Sequence, residues 1–252
     1  MVNRKRLNYN HVNASTTSVL LFMFFFSESN KHAILINVSP INRYHSLFCP
    51  SIYKSLPQVV TMESLKVALD MMLFIEDRSL KIGFNSLCAF ASVNHLHYHL
   101  LFEHCSLCIL EDYVVPTFCF DVNQNIGKAA EDIFKLLEYL LQKSISHNIL
   151  MAWRKGNETN VRVFVWPRKS CTGAKSLAAF NVAVCELAGW FPVYGKNSLT
   201  EFDMVFTNIL QKGWRCPLTT GDYSHLPSGG SSARLPAISI KKSVMNIFQT
   251  LS

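Results

Sequence analysis

Glycine and proline are scarce in this chain, 10 and 9 of its 252 residues, and only 16% of the residues are charged. With 49% apolar residues beside them, those shortages argue against a disordered or low-complexity protein and for a packed one with a sizeable core. No apolar stretch reaches the roughly 20 residues a membrane helix needs; Val19–Phe26 is apolar for eight residues only. A run of eight suits the hydrophobic part of a secretory signal, but Ser27-Glu28-Ser29-Asn30 follows it and offers no clean cleavage site. Residues 19–26 are therefore expected as a buried strand or part of a poorly ordered lead-in. No second pair accompanies the single C-x-x-C, Cys105 and Cys108 beside His104, so zinc-site spacing is incomplete. The eight cysteines are scattered, and a chain this long needs no disulfide framework, so reduced, mostly buried thiols in the cytosol are expected. Acidic residues are the minority, 17 against 24 Lys and Arg. The net charge of +7 suits a polyanion, whether nucleotide, RNA or acidic membrane.

What is present reads as short strands alternating with helices. Ala33–Val38 and His45–Pro50 have strand character, broken between them at Ser39-Pro40. Val59–Asp77 spaces Leu65, Leu69, Met72 and Leu73 by three and four, which predicts a helix. Strands are expected at Lys81–Leu87, Val93–Phe102 and Tyr113–Phe120, the last interrupted by Pro116. Ile126–Lys143 carries the strongest helical stripe, through Ile126, Ile133, Leu137 and Leu140. His147–Trp153 and Val161–Trp166 then flank the polar turn Gly156-Asn157-Glu158 as a hairpin. Further helices are expected at Ala178–Ala188, stopped by Gly189, and at Ser198–Leu210. Strand, helix and hairpin thus occur twice in the same order, which points to two halves of similar plan.

The stretch with a chemical pattern is Phe84–His99, FNSLCAFASVNHLHYH. His95, His97 and His99 alternate with Leu96 and Tyr98. On one extended strand that spacing sets three imidazoles on one face and apolar side chains on the other. Three readings follow from the spacing: His97 as a nucleophile toward phosphorus, with its neighbours fixing its tautomer and meeting phosphoryl oxygens; a metal site, which lacks a nearby acidic ligand; or histidines with a structural part only.

These residues resemble the histidine-triad nucleotidyltransferase and hydrolase superfamily. With INVSPINRYHSLFCP (36–50), VRVFVWPRKSCTGAK (161–175) and AAFNVAVCELAGWFPVY (178–194), the chain is similar to the GDP-hexose phosphorylases. It closely resembles the animal enzymes acting on GDP-D-glucose and is also similar to the plant ones acting on GDP-L-galactose. The resemblance implies an α+β fold: a HIT-like antiparallel sheet with flanking helices, in two similar halves as in galactose-1-phosphate uridylyltransferase. It implies transfer of GMP from a GDP-hexose to inorganic phosphate through a guanylyl-histidine on His97, with His95 and His99 as its companions. Asn85, Ser92 and Asn94 match positions near the nucleotide and its phosphates, and Arg168 and Lys169 of the WPRK turn are candidates to meet phosphate charge. The expected partners are the GDP-hexose and phosphate, with no cofactor, metal, nucleic acid or membrane, a homodimer allowed, and a cytoplasmic location. Hydrolysis and guanine-nucleotide release are further roles the resemblance brings with it.

Two departures from the family pattern carry expectations of their own. Tyr44 stands where the family usually has glycine before His45, predicting an altered turn there. Residues 1–30 do not resemble the family's N-terminal region and are expected as a poorly ordered lead-in, which leaves an impaired guanine-nucleotide-binding remnant as the alternative function. The triad-bearing half is expected at 31–110, the second half at 111–210, and a mobile Ser/Gly/Pro-containing tail at 211–252.

Overall fold

The protein is described from a computed structural model. The structure describes residues 20–27, 30–75, 77–102, 117–123, 125–154, 160–171 and 181–190. The strands are β1 (Leu20–Ser27), β2 (Asn30–Ile36), β3 (Ser46–Cys49), β4 (Leu80–Asn85), β5 (Tyr98–Phe102), β6 (Phe118–Val122), β7 (Ser146–Trp153) and β8 (Val161–Arg168). The helices are α1 (Met62–Phe74), α2 (Ile126–Gln142) and the short α3 (Val184–Leu187). All eight strands join one sheet in the order β1-β2-β3-β5-β4-β7-β8-β6, and each pairing is antiparallel.

Alternation along the strands divides the sheet into two faces. Phe48, Ile82, Phe84, Tyr98, Leu100, Ile149, Met151, Val163 and Val165 point to one side and pack with Leu65, Leu69 and Met72 of α1 and Ile133, Leu136 and Leu140 of α2. These side chains form the core. Thr61 caps α1, its Oγ1 accepting the Ser64 N–H at 3.1 Å while Ser64 Oγ accepts the Thr61 N–H at 3.0 Å. Asn125 caps α2 by accepting the Lys128 N–H at 3.1 Å. Helices α1 and α2 therefore cover one face; Gly83, Asn85, His99, Asn148, Phe164, Trp166 and Arg168 lie on the other, where α3 packs over Gly83.

The sequence of elements β3-α1-β4-β5 is repeated as β6-α2-β7-β8. Within the sheet the two runs read β3-β5-β4 and β7-β8-β6, so they meet edge to edge at β4 and β7 and are related by an approximate two-fold axis. Asn85 pairs with Asn148 across that junction.

Two sequence expectations are corrected here, and one of two alternatives is decided. For residues 19–26 the strand is the reading found, with Leu20–Ser27 an edge strand paired with β2 from Leu20↔Leu35 to Ser27↔Asn30. The strand expected over Val93–Phe102 begins only at Tyr98, because the preceding backbone bonds elsewhere: Leu96 N–H goes to the Leu56 carbonyl at 2.8 Å. Of the helix expected at 178–188, the described part is helical only over Val184–Leu187. The sheet takes the backbone groups just before it, as Arg168 binds the Val182 carbonyl and Asn85 Oδ1 accepts the Val184 N–H. Gly189 does stop α3. At φ +83° it closes the helix with Gly189 N–H on the Glu186 carbonyl and Trp190 N–H on the Cys185 carbonyl. Cys105, Cys108, the region 191–210 and the expected tail lie outside the described residues. Within them, Cys49, Cys88, Cys119, Cys171 and Cys185 are free thiols, and no helix is long and apolar enough to cross a membrane.

Candidate active site

The triad occupies the end of the sheet where β4 finishes and β5 starts. β4 and β5 pair as far as Gly83↔His99, and beyond that rung the strands part. His99 lies in β5, His97 stands at the strand's entrance, and His95 is in the irregular lead-in before it. The three histidines thus do not share one strand. His97 and His99 nevertheless come together, with ring centroids 5.2 Å apart at 76°.

His97 is only 5% exposed. Its Nδ1 lies 2.8 Å from the His95 carbonyl. A carbonyl can only accept, so Nδ1 carries the proton and Nε2 is left as the lone-pair nitrogen. Burial pulls the His97 pKa below the ordinary histidine value; the bond to the His95 carbonyl opposes this, and the His95 charge adds to the lowering. The ring is therefore neutral at pH 7, with its tautomer set by the backbone.

A fourth histidine, His45, continues the array. The Ile41 N–H can only donate, and it lies 3.1 Å from His45 Nδ1. His45 Nε2 lies 3.1 Å from Asn37 Nδ2 and 3.0 Å from His99 Nδ1. Hydrogen bonding thus ties the His45 and His99 rings together. Burial brings the His45 pKa down to about 4, which keeps it neutral. In the turn leading into His45, Tyr44 adopts φ +69°, the left-handed conformation that glycine takes at lower cost.

The remaining candidates divide into those at the ring array and those that support it. Asn85 is buried, and its Oδ1 accepts Asn148 Nδ2 at 2.6 Å and the Val184 N–H at 2.9 Å. Its Nδ2 lies 3.4 Å from His99 Nε2. Asn94 is exposed, and its Oδ1 accepts the Gln58 N–H at 2.9 Å. Ser92 is exposed in the same lead-in. Arg168 is buried and engaged by protein groups: Asn148 Oδ1 at 3.3 Å, the Val182 carbonyl and the face of Phe90 at 4.8 Å. Lys169 beside it is exposed.

Three supporting residues were not singled out from the sequence. His45 lay in a matched segment but had no partner until the fold brought His99 beside it. Asn148 sits in an apolar strand that signals packing only. Gln58 lies in a Pro-containing connection with no motif at all. A cavity of about 320 Å³ lies on the helix-covered face, lined by Val60, Phe84, Phe134, Leu137 and His147 among others, and no triad histidine lines it. Among the described residues no group of three His, Cys, Asp or Glu side chains is placed to hold a metal ion.

Known families match this arrangement over most of the chain. The family models described as GDPGP1-like, N-terminal domain and GDPGP1-like, C-terminal domain match residues 7–101 and 90–207. GDP-D-glucose phosphorylase 1 of Danio rerio is 33% identical over 234 residues, covering 82% of this chain and 67% of that protein. The chain belongs to the GDP-D-glucose phosphorylase family. Another member, GDP-D-glucose phosphorylase 1 of Xenopus laevis, is 36% identical over 200 residues, which is 68% of this chain and 50% of that one. The chain thus spans two thirds of the fish protein and half of the frog protein. The N-terminal family model begins at residue 7, so the stretch expected to be divergent to residue 30 lies largely inside the matched region. Among solved structures, the crystal structure of yeast Ap4A phosphorylase Apa2 is similar at a TM-score of 0.51 and 16% identity, covering 75% of this chain and 74% of that one. That likeness is one of fold, and it agrees with the α+β, HIT-like architecture.

Proposed function

We propose that the protein is a GDP-hexose phosphorylase and that His97 is its nucleophile. The observation that carries this reading is the His97 ring itself: neutral, held by the His95 carbonyl at Nδ1, and so presenting a lone pair at Nε2. Family membership supplies the substrate class, a GDP-hexose with GDP-D-glucose first. Nε2 attacks the α-phosphorus and the bond to the bridging oxygen breaks. Hexose 1-phosphate leaves with that oxygen, and GMP remains joined to the ring through an N–P bond. An oxygen of inorganic phosphate then attacks the same phosphorus, the N–P bond breaks, and GDP departs.

The other groups fall into roles that this chemistry needs. His99, its ring beside that of His97, meets a phosphoryl oxygen while charge builds there. Asn85 fixes the floor between the two halves. Ser92 and Asn94 belong to the lead-in that shapes the approach to His97, and Lys169 supplies exposed positive charge near the same end of the sheet. Arg168 acts chiefly by holding Asn148 and the segment before α3. With His97 nearly closed off, the surrounding side chains must open before a diphosphate reaches Nε2.

Incubation with GDP-glucose and phosphate is expected to yield glucose 1-phosphate and GDP, and His97→Asn to lower that rate by at least about 10³-fold, the scale on which removing a covalent nucleophile acts. Turnover by His97→Asn near the wild-type rate would assign the nucleophile elsewhere. GDP binding without turnover by the wild type would favour the binding-remnant reading.

A further inference from the structure

From the geometry we infer that Gln58 is a positioning residue for His97, setting where the imidazole sits by holding the backbone that carries it. The inference rests on His97 being the reactive group and adds a residue that no catalytic motif includes. The register of β4 and β5, carried two residues beyond Gly83↔His99, would set His97 opposite Asn85. A direct rung does not form there. The Gln58 side chain stands between the strands instead.

Its Oε1 accepts the His97 N–H at 2.9 Å, and its Nε2 donates to the His97 carbonyl at 3.1 Å and to the Asn85 carbonyl at 2.9 Å. One primary amide thus meets both backbone groups of His97, as a neighbouring strand would, and bridges to β4. The side chain is 1% exposed, so water cannot take over these bonds. Gln58 is itself fixed by its N–H on Asn94 Oδ1 at 2.9 Å, and Leu96 N–H on the Leu56 carbonyl at 2.8 Å ties the two segments once more.

A wedge of this kind has a chemical consequence. The Nδ1–H bond from His97 to the His95 carbonyl spans only two residues, so it depends on the backbone angles of that short segment. An apolar group at position 58 would leave the His97 N–H and carbonyl buried and unpaired. The segment would relax, the Nδ1–H tautomer would no longer be enforced, and the reactive lone pair would lose its place. Displacements near 1 Å at a reacting atom lower rates by about 100-fold. A glutamate at the same position presents a carboxylate to two carbonyl oxygens when ionised. When protonated, it restores one donor and one acceptor.

The test uses Gln58→Met and Gln58→Glu in the full chain, with two independent readouts. The first is the single-turnover rate of GMP transfer to His97 at saturating GDP-glucose, alongside the GDP-glucose Kd. Gln58→Met is expected to slow transfer about 10- to 100-fold with Kd within about threefold, and Gln58→Glu to recover rate relative to Gln58→Met as pH is lowered. The second is the His97 tautomer from ¹H–¹⁵N spectra of histidine-labelled protein, expected as Nδ1–H in the wild type and as a mixture in Gln58→Met. This readout needs no substrate. If the wild type transfers no GMP while the tautomer still depends on Gln58, the functional reading fails and the positioning role stands. A folded Gln58→Met that keeps the pure Nδ1–H tautomer, or in which rate and affinity fall in parallel, overturns the positioning role.

Discussion

At His97 the two ring nitrogens have different fates, and burial decides when the ring is usable. The pKa lies below the ordinary 6.5, and the neutral form is the nucleophile. The rate of GMP transfer should therefore persist as pH falls through 6.5 and decline only at lower pH. A single-turnover pH profile checks this; an acid limb at or above 6.5 would contradict it. The sequence made His97 visible through alternation with His95 and His99, yet alternation alone could not say that the strand starts at Tyr98. That boundary depends on Gln58 and Leu56, some 40 residues earlier, which no local pattern links to the triad. The protein partners of Arg168 were likewise beyond the sequence, because Asn148, Phe90 and Val182 meet it only in three dimensions.

Among the elements, α3 shows how a four-residue helix is held on the open face of the sheet. Val184 is buried over Gly83, where an added Cβ would stand 2.9 Å from Val184 Cγ1. That approach is closer than side-chain carbons tolerate. Gly83→Ala is therefore expected to cost about 1–3 kcal/mol and to speed hydrogen exchange at the Val184 amide, which bonds to Asn85. Gly83→Ala combined with Val184→Ala should recover much of that loss, as measured by denaturant unfolding. Equal losses in the single and double variants would show that α3 is held by something other than this contact. Helix α2 and the β7–β8 hairpin were legible because their periodicities are local and strong. β1 was not, because eight apolar residues without alternation suit a strand, a signal or a buried lead-in equally well.

At the scale of the whole molecule, buried neutral histidines link stability to pH, His45 and His147 foremost among them. Burial lowers both His45 and His147 to about 4, against 6.5 when unfolded. Between those values the unfolded chain binds more protons than the folded one, so stability falls as pH drops from 6.5 toward 4. Each site contributes at most about 3 kcal/mol over that window. His147→Phe, stacked on Phe84 in place of the imidazole, should flatten the dependence of unfolding free energy on pH; an unchanged slope would contradict the burial argument.

The two-fold relation of the halves also bears on stoichiometry. Strand β8, the counterpart of β5, carries Phe164, Trp166 and Arg168 on the open face and contains no histidine. One half keeps the imidazoles and the other does not, which predicts one reactive centre per chain. The repeat of strand, helix and hairpin was readable in the sequence, whereas the loss of the second set of histidines becomes meaningful only once the strands are paired.

The central claim is that a single ring nitrogen carries GMP between donor and acceptor. Its most direct test is mass spectrometry of the protein quenched after mixing with GDP-glucose in the absence of phosphate. The account predicts one GMP per chain, mapped to the peptide containing His97 and discharged as GDP when phosphate is added. Glucose 1-phosphate formed with no adduct on the protein, or an adduct mapped to a different residue, would contradict it.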